Sequence, residues 1–323
     1  GLADYVLPPA EMPEQLMTYT SHLKEKPLLK VSPAERAIPD ALQQIFILLR
    51  TNTGHDFSHY KQNTICRRIE RRMKIHHLEN VSEYVRYLRR TPHEVRNLFK
   101  ELLIGVTNFF RDAEAFEIIK KKALPPMLAN KPEDEPLRAW VPGCSTGEEA
   151  YSIAIVLLEC MGDLKRYGRS GDIQIFATDI DEDAIDKARA AVYPGSISVD
   201  VSQDRLKRFF VKEDNFYRIN KDLRDMLIFA PQNIVKDPPF TKMDLICCRN
   251  LLIYLDAELQ KKLVPLFHYS LRPEGLLFLG SSETIGEFTD LFASVDRKWK
   301  VFRRKETAVA VQPMVGFPLV PPP

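Results

Sequence analysis

Two turns in this sequence carry carboxylates where they can do chemistry. The first is Pro142-Gly143-Cys144-Ser145-Thr146-Gly147-Glu148-Glu149, set between a short apolar run, Leu137–Val141, and an apolar helical stretch, Tyr151–Cys160. Small residues in a strand-to-helix turn let the backbone approach a ligand beside a helix N-terminus, so a nucleotide-like ligand is the first expectation. The spacing is G-x-x-x-G, and two glutamates open the helix. Those carboxylates repel a pyrophosphate but accept hydrogen bonds from a ligand ammonium group. A plain tight turn, whose acids complement the helix dipole, is the alternative. The second turn holds Asp179, in Phe176-Ala177-Thr178-Asp179-Ile180-Asp181. An acid at a strand end suits ribose hydroxyls, and as a lone feature it also suits a helix cap. A ribose and a cationic ammonium group without phosphate describe S-adenosylmethionine, so methyl transfer is the expected reaction.

An alternation of strands and helices has to position these turns. Leu137–Val141, Ile173–Thr178, Met226–Ala230, Met243–Cys248 and Leu276–Gly280 read as strands. Tyr151–Cys160, Glu182–Ala191 and a stretch around Glu258–Leu271 read as helices. The order predicts a mainly parallel α/β sheet with helices on both faces. Tyr193–Asn220 interrupts it and reads as an inserted subdomain. From Ala41 to about Leu103 the pattern is helical. Ile65, Ile69 and Met73 form an apolar stripe, with Arg67, Arg71 and Lys74 on the other side. Thr91-Pro92-His93-Glu94 reads as a capping box, and Val95, Leu98, Phe99, Leu102 and Leu103 as the buried face that follows. The six prolines before position 40 and the closing Pro321-Pro322-Pro323 mark linkers.

Composition agrees with a large α/β domain and a smaller companion: 323 residues, 45% hydrophobic, with a mean hydropathy of −0.24. It excludes a disordered chain. No run of about 18 apolar residues is present, and Gly1–Tyr5 lacks a signal-peptide pattern, so no membrane insertion is expected. Five cysteines at 66, 144, 160, 247 and 248, without C-x-x-C spacing, argue against a disulfide framework or a zinc site. A reducing cytoplasm and no metal are expected. The net charge of +2 hides a division. Lys61 to Lys100 holds eleven Lys/Arg and four Asp/Glu, a net of +7, so the remainder sums to −5. A basic module joined to a mildly acidic one predicts an acidic macromolecular partner.

Four stretches in order then carry a resemblance: Gly105-Val106-Thr107-Asn108-Phe109-Phe110-Arg111-Asp112, Ser145–Ala154, Ala177-Thr178-Asp179-Ile180-Asp181 and Cys248-Arg249-Asn250-Leu251-Leu252-Ile253-Tyr254. From about Phe57 to Arg304 the chain resembles the CheR family of chemotaxis receptor methyltransferases. The resemblance implies a Rossmann-like S-adenosylmethionine-dependent methyltransferase domain, a small all-helical N-terminal domain and a small inserted β-subdomain. The implied reaction is methyl esterification of glutamate side chains on chemoreceptor signalling helices for sensory adaptation, releasing S-adenosylhomocysteine. Asp4-Tyr5-Val6-Leu7-Pro8 is similar to the closing segment of the partner methylesterase, CheB, which implies the CheR part of a CheB–CheR fusion. The expected divisions are a linker over 1–40, a basic helical domain over 41–122, a methyltransferase domain over 123–305 with its insertion at about 193–225, and a Pro-rich linker over 306–323.

Carried over by position, the resemblance implies that Thr107 and Arg111 reach over the cofactor, Arg111 towards its carboxylate, with Gly143 in the binding turn. Glu148 and Glu149 match the pair that binds the methionine ammonium group, with the choice between them open. Asp179 matches the ribose ligand and Asn233 and Ile234 the adenine neighbours. Arg249, Asn250 and Tyr254 match residues beside the transferred methyl, and Tyr254, Arg249 and Arg111 are the expected catalytic residues. Arg67, Arg71 and Lys74, with Arg68 and Arg72 at the margin, are expected to dock an acidic receptor helix. Gly105 departs from the family, where Asn is common. Phe210–Asp214 passes to Phe216–Arg218 without a Gly-rich loop, which implies independence of a C-terminal receptor pentapeptide.

A glutamate substrate is already ionised at neutral pH and needs no general base. That suits a chain whose one histidine after position 93 is His268. Two other readings stand beside this one. Asp237-Pro238-Pro239-Phe240 resembles the motif of nucleic-acid amino-methyltransferases, but it precedes Met243–Cys248 instead of closing it, so no nucleic acid is expected. The other is a non-catalytic regulatory module that binds the cofactor or a receptor.

Overall fold

The computed structural model describes residues 37–103, 105–132, 135–163 and 173–306, together with Pro8, Pro9, Met12, Pro13 and Met17. The expected linkers and the CheB-like segment fall almost wholly outside these residues. The chain forms two compact units, residues 1–104 and 105–323.

The first unit contains helices α1 (Ala37–Thr53), α2 (Gln62–Ile75), α3 (Val81–Arg90) and α4 (Pro92–Leu102). Ile65, Ile69 and Met73 lie in its core, as their spacing predicts, beside Ile45, Tyr84 and Leu98. Asn80 caps α3 by accepting from the Ser82 N–H at 2.8 Å. The capping box expected at α4 is not made. Pro92 does open the helix, but the Thr91 side chain makes no capping bond. Glu94 is only 1% exposed. Its carboxylate accepts from Arg72 Nε at 2.9 Å, Arg72 Nη2 at 2.6 Å and the Tyr84 hydroxyl at 2.9 Å. A guanidinium buried among apolar side chains requires a partner carboxylate, and that requirement outweighs a helix cap.

The second unit opens with α5 (Ala113–Ile118), a π-helical turn (Ile119–Ala123) and α6 (Leu124–Ala129). The sequence predicts a helical domain through 122. The structure instead places 105–122 in the second unit, because Phe109, Phe116 and Ile119 share one core with its central strand and helix. The remaining elements are β1 (Leu137–Pro142), α7 (Glu148–Asp163), β2 (Ile173–Asp179), α8 (Glu182–Ala190), β3 (Val192–Pro194), α9 (Gln203–Phe209), β4 (Phe210–Glu213), β5 (Phe216–Ile219), α10 (Lys221–Arg224), β6 (Leu227–Pro231), β7 (Met243–Cys248), α11 (Ala257–Ser270), β8 (Leu271–Leu279), β9 (Phe292–Asp296) and β10 (Val301–Arg304).

Seven strands form one sheet in the order β6-β2-β1-β7-β8-β10-β9. The first five run parallel, and β10 is antiparallel to both its neighbours. The five parallel strands match the expectation, whereas β9 and β10 carry no comparable apolar run in the sequence. The order reverses at β1, and in such sheets the ligand crevice opens at the carboxyl ends on either side of the reversal. β3, β5 and β4 form a separate antiparallel sheet in the insertion, and the two-residue turn Asp214-Asn215 joins β4 to β5.

Candidate active site

The carboxyl ends of β1, β2, β6 and β7 bring the sequence motifs together. β1 and β2 stay in register from Leu137 opposite Ile173 to Pro142 opposite Thr178. The Thr178 carbonyl accepts from the N–H groups of Gly143 at 2.7 Å and Cys144 at 3.0 Å. Asp179 then holds the turn. Its Oδ2 accepts from Ser145 N–H at 2.8 Å and its Oδ1 from Asp181 N–H at 3.0 Å. Gly143 and Gly147 have φ of +71° and +95°, and a Cβ on Gly147 would lie 2.9 Å from that of Ala188. Asp181 caps α8, accepting from the N–H groups of Asp183 and Ala184. The cap position is therefore filled by Asp181, and Asp179 is left at the strand end. Burial pushes the Asp179 carboxyl up, against the pull of the Asp181 and Ser145 N–H groups.

The two glutamates opening α7 have different surroundings. Glu148 accepts from the Thr146 hydroxyl at 2.6 Å, and among the described residues no cation pairs with it. Glu149 turns to the end of β7, where it accepts from Cys247 Sγ at 3.3 Å and Arg249 Nη1 at 3.2 Å. Burial raises the carboxyl of each, and at Glu149 the Arg249 charge opposes the rise. Arg249 also donates through Nη2 to Asp112 Oδ2 at 2.8 Å. It is 4% exposed, with its guanidinium over the rings of Phe116 and Phe278. Arg249, expected beside the transferred methyl, stands between the Glu149 and Asp112 carboxylates. Both of its terminal nitrogens are engaged, so it orients Glu149 and Asp112. Asp112, left-handed at φ +60°, is a site residue that the sequence motif contains without revealing its role.

Thr107 and Arg111 lie on a loop pinned at its centre by Phe109 and Phe110. Phe109 packs edge-on to Tyr193, and the Phe110 N–H donates to Ser152 Oγ at 3.0 Å. Arg111 folds back, donating to the Val106 carbonyl at 3.0 Å. A Cβ on Gly105 would lie 3.2 Å from Ser145 Oγ, so the serine hydroxyl occupies space beside this departure from the family. Asn233 follows β6, where Gln232 N–H donates to the Asp179 carbonyl at 2.9 Å. Its side-chain oxygen accepts from the Val235 N–H, and Ile234 stands half-buried next to it. Asn250, at φ +60°, precedes a short 3-10 turn, Leu252–Tyr254, which Tyr254 closes. Tyr254 is half-buried, and its hydroxyl has no hydrogen-bond partner among the described residues.

In the helical unit the expected docking set is divided. Arg67 is exposed, with Nε donating to the Asn63 carbonyl. Arg68 and Arg71 share Glu101 at 3.0 and 2.8 Å, and Lys74 is half-buried. Arg72 leaves the set: it is 9% exposed and paired with Glu94, so its charge serves the core.

Phe240, from the Asp-Pro-Pro-Phe segment, stacks on Phe176 at 4.5 Å and meets Trp140 edge-on, so it belongs to packing. His268 is buried against Phe292 and shares a hydrogen bond with the Lys305 carbonyl. Asp112 and Glu149 flank one guanidinium, and Glu148 has no cation, so the site carries uncompensated negative charge under partial burial. A ligand ammonium group supplies the missing charge, and the acid at the end of β2 suits a ribose, so the residues fit S-adenosylmethionine.

Comparison with known proteins agrees. Residues 40–103 match the model of the CheR methyltransferase all-alpha domain, and residues 105–301 that of the CheR methyltransferase SAM binding domain. The chain is 32% identical over 259 residues to chemotaxis protein methyltransferase 2 of Pseudomonas aeruginosa, covering 78% of this chain and 89% of that one. It is 29% identical over 268 residues to the chemotaxis protein methyltransferase of Escherichia coli, covering 79% and 88%. An uncharacterized 104.1 kDa protein of Rhodobacter capsulatus is 36% identical over 264 residues, covering 82% of this chain but only 27% of that protein. No helix among the described residues is long and apolar enough to cross a membrane. With both domains matched in order, the chain belongs to the CheR methyltransferase family and S-adenosylmethionine is its cofactor.

Proposed function

We propose that this protein methylates glutamate side chains on the signalling helices of chemoreceptors, as a protein-glutamate O-methyltransferase in sensory adaptation. The observation that carries the reading is a cofactor site rich in carboxylates with no histidine available as a base: His268, the one histidine among residues 105–306, is buried and bonded to a backbone carbonyl. An ionised carboxylate is a substrate that needs no base. The chemotaxis names of the relatives support the same partner. Bound S-adenosylmethionine supplies an electrophilic methyl group on a positively charged sulfur. In this reading Asp179 holds the ribose, Asn233 and Ile234 border the adenine, and Arg111 meets the cofactor carboxylate. Tyr254, with its hydroxyl uncommitted, orients the incoming glutamate oxygen. The short Asp214-Asn215 turn in the insertion supports independence of a receptor pentapeptide.

Of the two glutamates we assign the ammonium contact to Glu149, whose carboxylate is already oriented by Arg249 and Cys247. One lost charge-assisted hydrogen bond corresponds to about a 10- to 100-fold loss of cofactor affinity for Glu149→Gln. Glu148→Gln should change it less than about threefold. Because burial raises the Glu149 carboxyl in the free protein and a bound ammonium favours its ionised form, binding should release protons. Affinity should then weaken as pH falls through that raised value. Calorimetric titration in two buffers of different ionisation enthalpy reads the release, and an equal release from Glu149→Gln would move the contact elsewhere.

The reading as a whole is tested by transfer from radiolabelled S-adenosylmethionine to membranes carrying the source organism's own chemoreceptors. A base-labile product that yields methanol is expected, whereas a base-stable methylamine would exclude a carboxyl ester. Replacing both Arg67 and Arg71 by Glu should reduce receptor methylation about tenfold or more and leave cofactor affinity unchanged. Parallel loss of both would show damage to the fold instead of docking.

A further inference from the structure

Behind the turn that carries Asn250 and Tyr254 lies a buried acid with no role in the chemistry described so far. Glu283 follows β8 in Gly280-Ser281-Ser282-Glu283 and is 4% exposed. Among the described residues no Lys, Arg or His forms an ion pair with it. Its Oε2 accepts from Gly280 N–H at 2.6 Å and Asn250 N–H at 3.0 Å, and its Oε1 accepts from Ile253 N–H at 3.3 Å. The Leu252 N–H faces it as well. One carboxylate thus gathers the backbone donors of a turn whose first residue is held left-handed.

The fit is close on both sides. A Cβ on Gly280 would lie 2.8 Å from Glu283 Oε2 and 3.0 Å from the Asn250 nitrogen, so only a residue without a side chain lets the acid reach the turn. On the other face, a Cβ on Gly143 would meet the Leu251 side chain at 3.2 Å, so the same turn rests on the cofactor-binding loop. Burying an ion without a counter-ion is costly, and here the compensation comes from backbone N–H groups alone. Their positions are what the acid determines.

We infer that Glu283 is a positioning residue for methyl transfer: its carboxylate fixes the Asn250–Tyr254 turn, and through it the Tyr254 side chain, against the Gly143 loop. The inference rests on the proposed reaction for its kinetic part, while its structural part stands on the turn alone. Asp cannot span all the donors because it is one methylene shorter. Gln presents an NH₂ group where a second acceptor is needed, which sets donor against donor.

The experiment uses the full chain as wild type, E283Q and E283D, with labelled S-adenosylmethionine and chemoreceptor-bearing membranes, and normalises turnover to molecules that bind cofactor. For E283Q, kcat should fall by about 10- to 100-fold, the effect of a displacement near 1 Å, with KM for the receptor within about twofold. E283D should fall between E283Q and wild type. Hydrogen exchange followed by mass spectrometry should show faster exchange over 249–255 and unchanged exchange in β1 and β2. A purely structural role would instead lower the cofactor-binding fraction and leave the normalised kcat near wild type, and that result overturns the inference. If E283Q does not fold, E283D decides by the same two readouts. If wild type itself forms no ester on any receptor, the proposed substrate fails. Exchange at 249–255 then judges Glu283 separately, equal rates in variant and wild type overturning it.

Discussion

Asp179→Ala should weaken S-adenosylmethionine binding by about two orders of magnitude or more while leaving the melting temperature of the cofactor-free protein nearly unchanged. A carboxylate that accepts from two ribose hydroxyls makes two charge-assisted bonds of about 1.5–3 kcal/mol each, and 1.4 kcal/mol is a factor of ten. The same oxygens hold Ser145 and Asp181 N–H groups at 2.8 and 3.0 Å, so the substitution also loosens the turn. The small effect on the free protein follows from the sign of the linkage. Burial raises the Asp179 carboxyl above its ordinary value. The folded protein therefore binds more protons than the unfolded chain between those two values, and stability falls as pH rises through that window. Above it the ionised group carries a desolvation cost, and relief of that cost opposes the loss of the backbone bonds in the variant. Calorimetric titration and thermal denaturation with and without cofactor measure both parts. The increment in melting temperature that the cofactor confers on wild type should largely vanish in the variant. An unchanged dissociation constant would remove Asp179 from the ribose.

Glu94→Ala should cost the helical unit about 3–5 kcal/mol, the usual consequence of leaving a buried charge without its partner. Glu94 satisfies Arg72 through two nitrogens and Tyr84 through its hydroxyl, and His76 Nε2 lies 2.9 Å from it. Burial works to raise its carboxyl, yet Arg72 and Tyr84 together hold it below the ordinary value. Here the linkage has the opposite sign. The stabilisation is present above the unfolded value near 4.3 and is lost as pH falls through the lower folded one. For a unit of this size the cost approaches its whole stability. Receptor methylation should therefore be lost with α2, whereas S-adenosylmethionine should still bind, since every expected cofactor residue lies in 105–323. Chemical denaturation followed by circular dichroism, beside cofactor titration, reads the two units separately. Replacing Arg72 and Glu94 together by Met and Leu should restore much of the stability, because no buried ion then remains unpaired. Full stability of Glu94→Ala alone would contradict this account.

The juxtaposition of the two turns proposed for the cofactor was legible because its signals are local. An apolar run, a Gly turn and an acid at the next strand end occupy neighbouring positions, and parallel pairing at the reversal point of the sheet brings two such ends together. The stripe Ile65, Ile69 and Met73 was legible for a similar reason, since helical period alone places three residues on one face. The limits of the units were less so. Residues 105–122 read as a continuation of a helical domain, but their aromatic side chains belong to the core of the second unit. The antiparallel pair β9 and β10 was hidden because short strands with charged residues, such as Asp296 and Arg303, have neither a continuous apolar run nor a clean alternation.

What remained open in the sequence was how its charges are matched. Residue types and spacing were enough for the family and the cofactor, and for the strand ends where its proposed ligands gather. They did not distinguish Arg67, which is exposed, from Arg72 five positions on, which is buried on Glu94. Nor did they show that Arg249 is committed to Glu149 and Asp112, or that Glu283 reaches the Asn250 backbone. The physical reason is one of range. Periodicity and turn chemistry act over a few residues, whereas the worth of an ion pair or of a buried carboxylate depends on separation and burial between groups 22 to 137 positions apart. Only the folded chain sets those two quantities.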